Sequence, residues 1–173
     1  MDLQTQKTTL TRFWKQYGIT IDWTKVRIPP HHKGHIVYVP KGVTMKSILQ
    51  DKITKKLSLY VRYGIDNISS QLVDVPKRRQ SSYVFVVESL DYKSFKDVSN
   101  KEIPANFMTP LEGIITVLYF LFAKTELLPR QLFFHGLFKN NEVLFYEYRL
   151  GQHRLDTKDK NLVVYNIFGE ITL

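Results

Sequence analysis

The chain has 173 residues, 43% hydrophobic and 13% aromatic. That is enough for one packed core and too apolar for a disordered chain. Cysteine is absent, which excludes a disulfide framework, a thiolate metal site and a cysteine nucleophile, and fits a reducing cytosol. The net charge of +9 is unevenly placed: residues 1–80 hold fifteen Lys and Arg against five Asp and Glu, and residues 81–173 hold ten against eleven.

In chain order, "TTLTRFWKQYG" sets Leu10, Phe13, Trp14 and Tyr17 on one helical face, with Thr8 or Thr9 as cap and Gly18 as stop. "ITIDWTKVRIP" alternates Ile19, Ile21 and Trp23 with polar residues. It reads as a strand with a bulge at Thr24–Lys25, ended by Pro29 and Pro30. "GHIVYVP" reads as a second strand. "KGVTMKSILQDKI" reads as a helix capped by Thr44 and fraying near Asp51. "LSLYVRYG" is a third strand, with Leu57, Leu59 and Val61 alternating against Ser58, Tyr60 and Arg62. The strand–strand–helix–strand order is β-grasp-like. Residues 66–82 read as a loop or short irregular helix. "SYVFVVES" is apolar on both faces and reads as a central strand.

Residues 90–107 read as a long connection with a helical turn near Tyr92 to Lys96. Thr109, Pro110 and Glu112 then form a compact helix start, predicting a core helix over about 110–128, stopped by Pro129. Its apolar run, Gly113 to Ala123, is too short for the roughly 20 residues of a membrane span. The N-terminus carries no apolar stretch of signal-peptide type. The last third reads as a meander of "RQLFFHGLF", "NEVLFYEYRL" and "NLVVYNIFGEITL", with a turn at Asn140–Asn141 and a polar loop over "GQHRLDTKDKN". The expected fold is one α+β domain over 1–173, its mixed or antiparallel sheet packed on the 110–128 helix.

"RIP" followed by "GHIVYVPKGVTMKSIL", then "SYVFVVESLDY", then "TPLEGIITVLYFLFA" resemble in order and spacing a family of uncharacterised bacterial proteins. The resemblance covers residues 19–136. The chain departs from it at Glu88, Ser89 and Leu90, where that family carries Arg-Asp, and at "FHGLFKNN", where it has Gly-Ser-Arg. The resemblance implies the order of elements and brings over no functional residue.

Three of the five histidines, His31, His32 and His35, lie within "RIPPHHKGHIVYVP". The segment can be a metal site, an anion-binding loop or a plain turn. For a metal, a fourth ligand must come from His135, His153 or Asp22, and no His-Glu-x-x-His pattern sets the geometry. For an anion, Lys25, Arg27, Lys33, Lys41 and Lys46 surround it, and Gly34 and Gly42 leave backbone N–H groups accessible. Lys77, Arg78 and Arg79 form the densest basic triplet. Tyr60, with Arg62 on the same strand face, is the best exposed aromatic for stacking a base. No phosphate-loop, dinucleotide or nucleophile-elbow motif is present, and no cofactor is expected. A ribonuclease would use His135 or His153 as general base with Arg149 or Arg154 on the phosphate. The leading expectation is a non-enzymatic protein of the bacterial cytoplasm whose basic half contacts nucleic acid or a nucleoprotein through phosphate. The alternatives are an adaptor docking an acidic protein and a small basic ribonuclease.

Overall fold

The computed structural model describes residues 2–30, 34–62, 72–74, 81–89, 108–125, 128–129, 131–138, 142–159 and 170–172. It is an α+β fold of four helices and eight strands among these residues. Helix α1 (Leu3–Gln16) precedes strand β1 (His35–Val39). Two short helices follow, α2 (Met45–Leu49) and α3 (Lys52–Lys56), then strands β2 (Leu59–Val61), β3 (Leu72–Asp74) and β4 (Tyr83–Ser89). Helix α4 (Pro110–Ala123) leads to β5 (Gln131–Phe138), β6 (Glu142–Arg149), β7 (Gln152–Asp159) and β8 (Glu170–Thr172).

The strands divide between two sheets. The first is antiparallel in the order β1-β4-β8, with the apolar β4 in the centre as its two-sided pattern predicts. The second is mixed, in the order β2-β7-β6-β5-β3, with β2 parallel to β7 and the other pairs antiparallel. Helix α4 packs on β1 of one sheet and β5 of the other. Ten of its fourteen residues are buried, so it has no solvent face to make polar. One buried cluster runs from Leu10, Phe13 and Trp14 of α1 through β1 and β4 to α4, Leu132, Tyr146 and Leu155. The Trp14 indole N–H donates to the Tyr38 carbonyl at 3.1 Å, which satisfies the one polar atom of a fully buried ring.

The α4 N-terminus follows its sequence signature. Glu112 is completely buried, yet its carboxylate accepts from the Thr109 N–H at 2.7 Å and from the Tyr83 hydroxyl at 2.8 Å. The capping box thereby also ties the helix to β4.

Several expectations are corrected. Residues 19–28 form no strand. The Asp22 carboxylate accepts from the Thr24 N–H at 3.1 Å and the Thr24 hydroxyl at 2.6 Å, while Lys25 N–H bonds the Asp22 carbonyl. This Asx-turn satisfies locally the groups a ladder would need. Ile21 is nevertheless buried, and Trp23 lies on α1, its N–H donating to Thr11 at 3.0 Å. The β-grasp-like order loses its first strand with it, and β1 and β2 belong to different sheets. Helix α1 starts at Asp2, which caps Thr5, and not at Thr8 or Thr9, whose hydroxyls bond back to carbonyls one turn earlier. The fray near Asp51 is a true break: Asp51 caps a new helix through the Ile53 N–H.

The core helix ends at Ala123, not near Leu128. Lys124 turns left-handed at φ 53°, and the Lys124 and Thr125 N–H groups return to the Leu121 and Phe120 carbonyls. Residues 66–82 contain the edge strand β3, and the supposed polar loop after Gly151 is β7, paired along its length with β6. Only Glu170–Thr172 of the last predicted strand are described, and they join β4 in the other sheet instead of extending the meander. The Asn140–Asn141 turn and the helical turn near Tyr92 lie outside the described residues.

Candidate nucleic-acid interface

Three of the five acids of the basic half, Asp2, Asp22 and Asp51, serve backbone N–H groups. Asp2 and Asp51 cap α1 and α3, and Asp22 holds its own turn. Hydrogen bonds from Thr5 hold the Asp2 carboxyl below its usual range, and hydrogen bonds from Thr24 and Lys25 do the same for Asp22. Asp2 and Asp22 therefore stay charged while serving N–H groups that would otherwise be unsatisfied.

Of the ten expected contact residues, six are described. Lys25 pairs with Asp22 at 3.0 Å on the open surface, where such a pair holds weakly. Arg27, Lys41 and Lys46 are exposed, with no ion pair among the described residues. Lys41 lies beside Gly42 at the rim of a groove of about 350 Å³, whose other wall is Trp14, Tyr17 and Ile19 at the end of α1. Lys46 is on α2, and the exposed Lys52, Lys55 and Lys56 continue the positive surface along α3. Lys33, Lys77, Arg78 and Arg79 lie outside the described residues.

Tyr60 lies on β2 and is 49% exposed, and Arg62, also exposed, follows directly after the strand. Their neighbours were not legible in sequence. The Arg154 guanidinium lies 5.0 Å over the Tyr60 ring, and Arg62 pairs with Asp156 at 3.0 Å. Both partners come from β7, which runs parallel beside β2 with Tyr60 opposite Arg154.

The histidines separate. His31 and His32 lie outside the described residues, and so does the His135 side chain. His35 opens β1 with its ring edge-on to Phe120 of α4, 5.5 Å between centroids, and burial pushes its pKa below the ordinary value. Gly34 beside it is a packing residue: a Cβ there would stand 2.0 Å from the Val87 carbonyl oxygen of β4. Among the described residues no group of three His, Asp or Glu could hold a metal.

His153 and Arg154 are neighbours on β7 and so address opposite faces of the sheet. His153 shares a 2.7 Å hydrogen bond with Tyr146, and Arg154 covers Tyr60. The pairing of base and phosphate clamp is therefore not assembled from these two, and Arg149 ends β6 on the exposed side of the hairpin. His153 instead helps line a cleft of about 490 Å³ between β6–β7 and the C-terminal end of α4. Comparison with family models, curated proteins and solved structures finds no match for this chain.

Proposed function

We propose that this is a non-enzymatic binding protein whose basic N-terminal half contacts nucleic acid or a nucleoprotein, mainly through phosphate. The observation that carries this reading is the commitment of Asp2, Asp22 and Asp51 to caps and turns, while Arg27, Lys41, Lys46 and the α3 lysines remain exposed. A positive surface left uncompensated in this way attracts a polyanion without reading its sequence. Lys33 and the Lys77–Arg78–Arg79 triplet belong to the same proposed surface by their place in the basic half. A bacterial cytoplasmic setting completes the reading, supported by the cysteine-free composition and the family resemblance. Among the described residues no helix is long and apolar enough to cross a membrane.

Fluorescence anisotropy with a labelled single-stranded RNA and a labelled DNA duplex, across a salt series, tests it. Affinity should fall steeply with salt. Replacing Arg27, Lys41 and Lys46 together by Ala should flatten the log–log slope by about 2–3, close to one for each phosphate no longer neutralised. No binding at low salt, or an unaltered slope in the triple variant, counts against the site.

One observation favours a second reading. Arg154 already occupies a face of Tyr60, and Arg62 is paired, so the base-stacking platform is partly spent. Charge alone would then do the binding, and an acidic protein surface satisfies charge equally well. The absorbance ratio of freshly purified protein separates the two: carried-over nucleic acid supports the first, and clean protein that ignores both probes supports the adaptor.

A further inference from the structure

The cleft at the C-terminal end of α4 belongs to neither basic half nor sheet edge. Its apolar wall is Phe120, Leu121 and Leu128, and its polar groups include Lys124, Thr125 and His153. The volume of about 490 Å³ lies in the range of small-molecule sites, and apolar walls with a few convergent polar groups are their usual make-up.

We propose that this cleft binds a small molecule with an apolar or aromatic body and one anionic head, a carboxylate or a phosphate. The inference is independent of the nucleic-acid reading. Three observations carry it. First, among the described residues every charged or hydrogen-bonding side chain lining the cleft can donate, and none of them is acidic. Second, the Thr125 hydroxyl, on a residue lining the cleft, is buried and meets no partner among the described residues, a costly state that a ligand oxygen would relieve once the side chain rotates toward the cleft. Third, Lys124 holds a left-handed backbone at the position where helices favour glycine, so an ammonium stands at the cleft against local conformational preference.

The Tyr146–His153 pair adds a donor whichever way its proton lies. If the hydroxyl donates to Nδ1, the ring keeps an N–H at Nε2; if Nδ1 donates, the hydroxyl hydrogen is free. Burial pushes the Tyr146 pKa up to about 12, so no phenolate opposes an anion. The α4 terminus itself is negative by about half a charge, but the Phe120 and Leu121 carbonyls are bonded by Thr125 and Lys124 N–H. The full charge of Lys124 outweighs that partial one. Tyr148, 47% exposed with its ring 4.8 Å from that of His153, offers a face to an aromatic body.

The test is NMR of the His153 imidazole during titration of the whole protein with 4-phenylbutyrate, phenyl phosphate and neutral 4-phenylbutanol. Saturable shifts with the two anions are expected, with the alcohol at least about tenfold weaker. Lys124→Gly should cost the anions at least about tenfold while melting no lower than the parent, because glycine suits the left-handed position. Thr125→Val, equal in shape, should also weaken the anions. The proposal is overturned by His153 signals that stay still at millimolar anion, by equal affinity for acid and alcohol, or by undiminished anion affinity in both variants.

Discussion

Gly34 is held to its identity by contact rather than by dihedral angle. It stands where the chain enters β1, against the β4 backbone at Val87, and backbone cannot step aside as a flexible side chain can. Gln6 of α1 clamps the same spot: its side-chain oxygen accepts the Ile36 N–H at 2.7 Å, and its amide nitrogen reaches the Gly34 carbonyl. Gly34→Ala should therefore lower stability by about 2–3 kcal/mol, seen as an earlier midpoint in urea. A variant as stable as the parent would show that the crossing of β1 and β4 is not tight. The same residue, read from sequence alone, is an open loop glycine. The difference is the partner strand some fifty positions downstream, which no local pattern announces.

At the scale of elements, the β6–β7 hairpin turns on Leu150 and Gly151, both at positive φ, 53° and 78°. Arg149 and Gln152 face each other across them, so the connection is a two-residue turn of the kind that favours Asn-Gly. Leu150 is 91% exposed and contributes little packing to offset its backbone strain. Leu150→Asn should raise stability by about 0.5–1 kcal/mol, measured as a higher melting temperature. An unchanged or lower value would place the strain elsewhere.

That turn also explains what the sequence concealed. β1, β4, α2 and the start of α4 were legible because alternation, two-sided apolarity and capping residues agree with their final surroundings. β7 was not: its residues are largely polar, with Leu155 its one buried hydrophobe, and it is a strand because β6 and β2 flank it. The segment 19–28 showed the right alternation, but Asp22 and Thr24 closed a turn instead. The positive surface was legible as charge. The pairing of Tyr60 and Arg62 with β7 was not, and neither was the α4 cleft, which joins a helix end to a hairpin.

For the whole molecule, α4 is the seam between the sheets, and a histidine from each lies toward its C-terminal half. His35 of the first sheet meets Phe120 with its ring edge, and His153 of the second shares a cleft with the same residue. Burial holds both pKa values below the ordinary 6.5. The folded state thus prefers neutral rings, and the unfolded chain binds more protons as the pH falls. Their stabilising contribution is complete above about pH 6.5 and is lost as the pH falls through the lower folded-state values. Melting temperature should drop on acidification below that point, and less so in His35→Phe, which keeps the ring contact without the proton. A parallel decline in parent and variant would assign the acid sensitivity to other groups.

β8 carries a consequence for synthesis. Val87 of β4 pairs with Ile171, more than eighty residues further along the chain. At ribosomal rates of about 5–20 residues per second, one side of β4 waits roughly 4–17 s for its partner to be made. That side belongs to the apolar run Tyr83–Val87, the composition that recruits foreign strands when left bare. The nascent protein is thus open to mispairing along β4 until Glu170–Thr172 has been made and its first sheet can close.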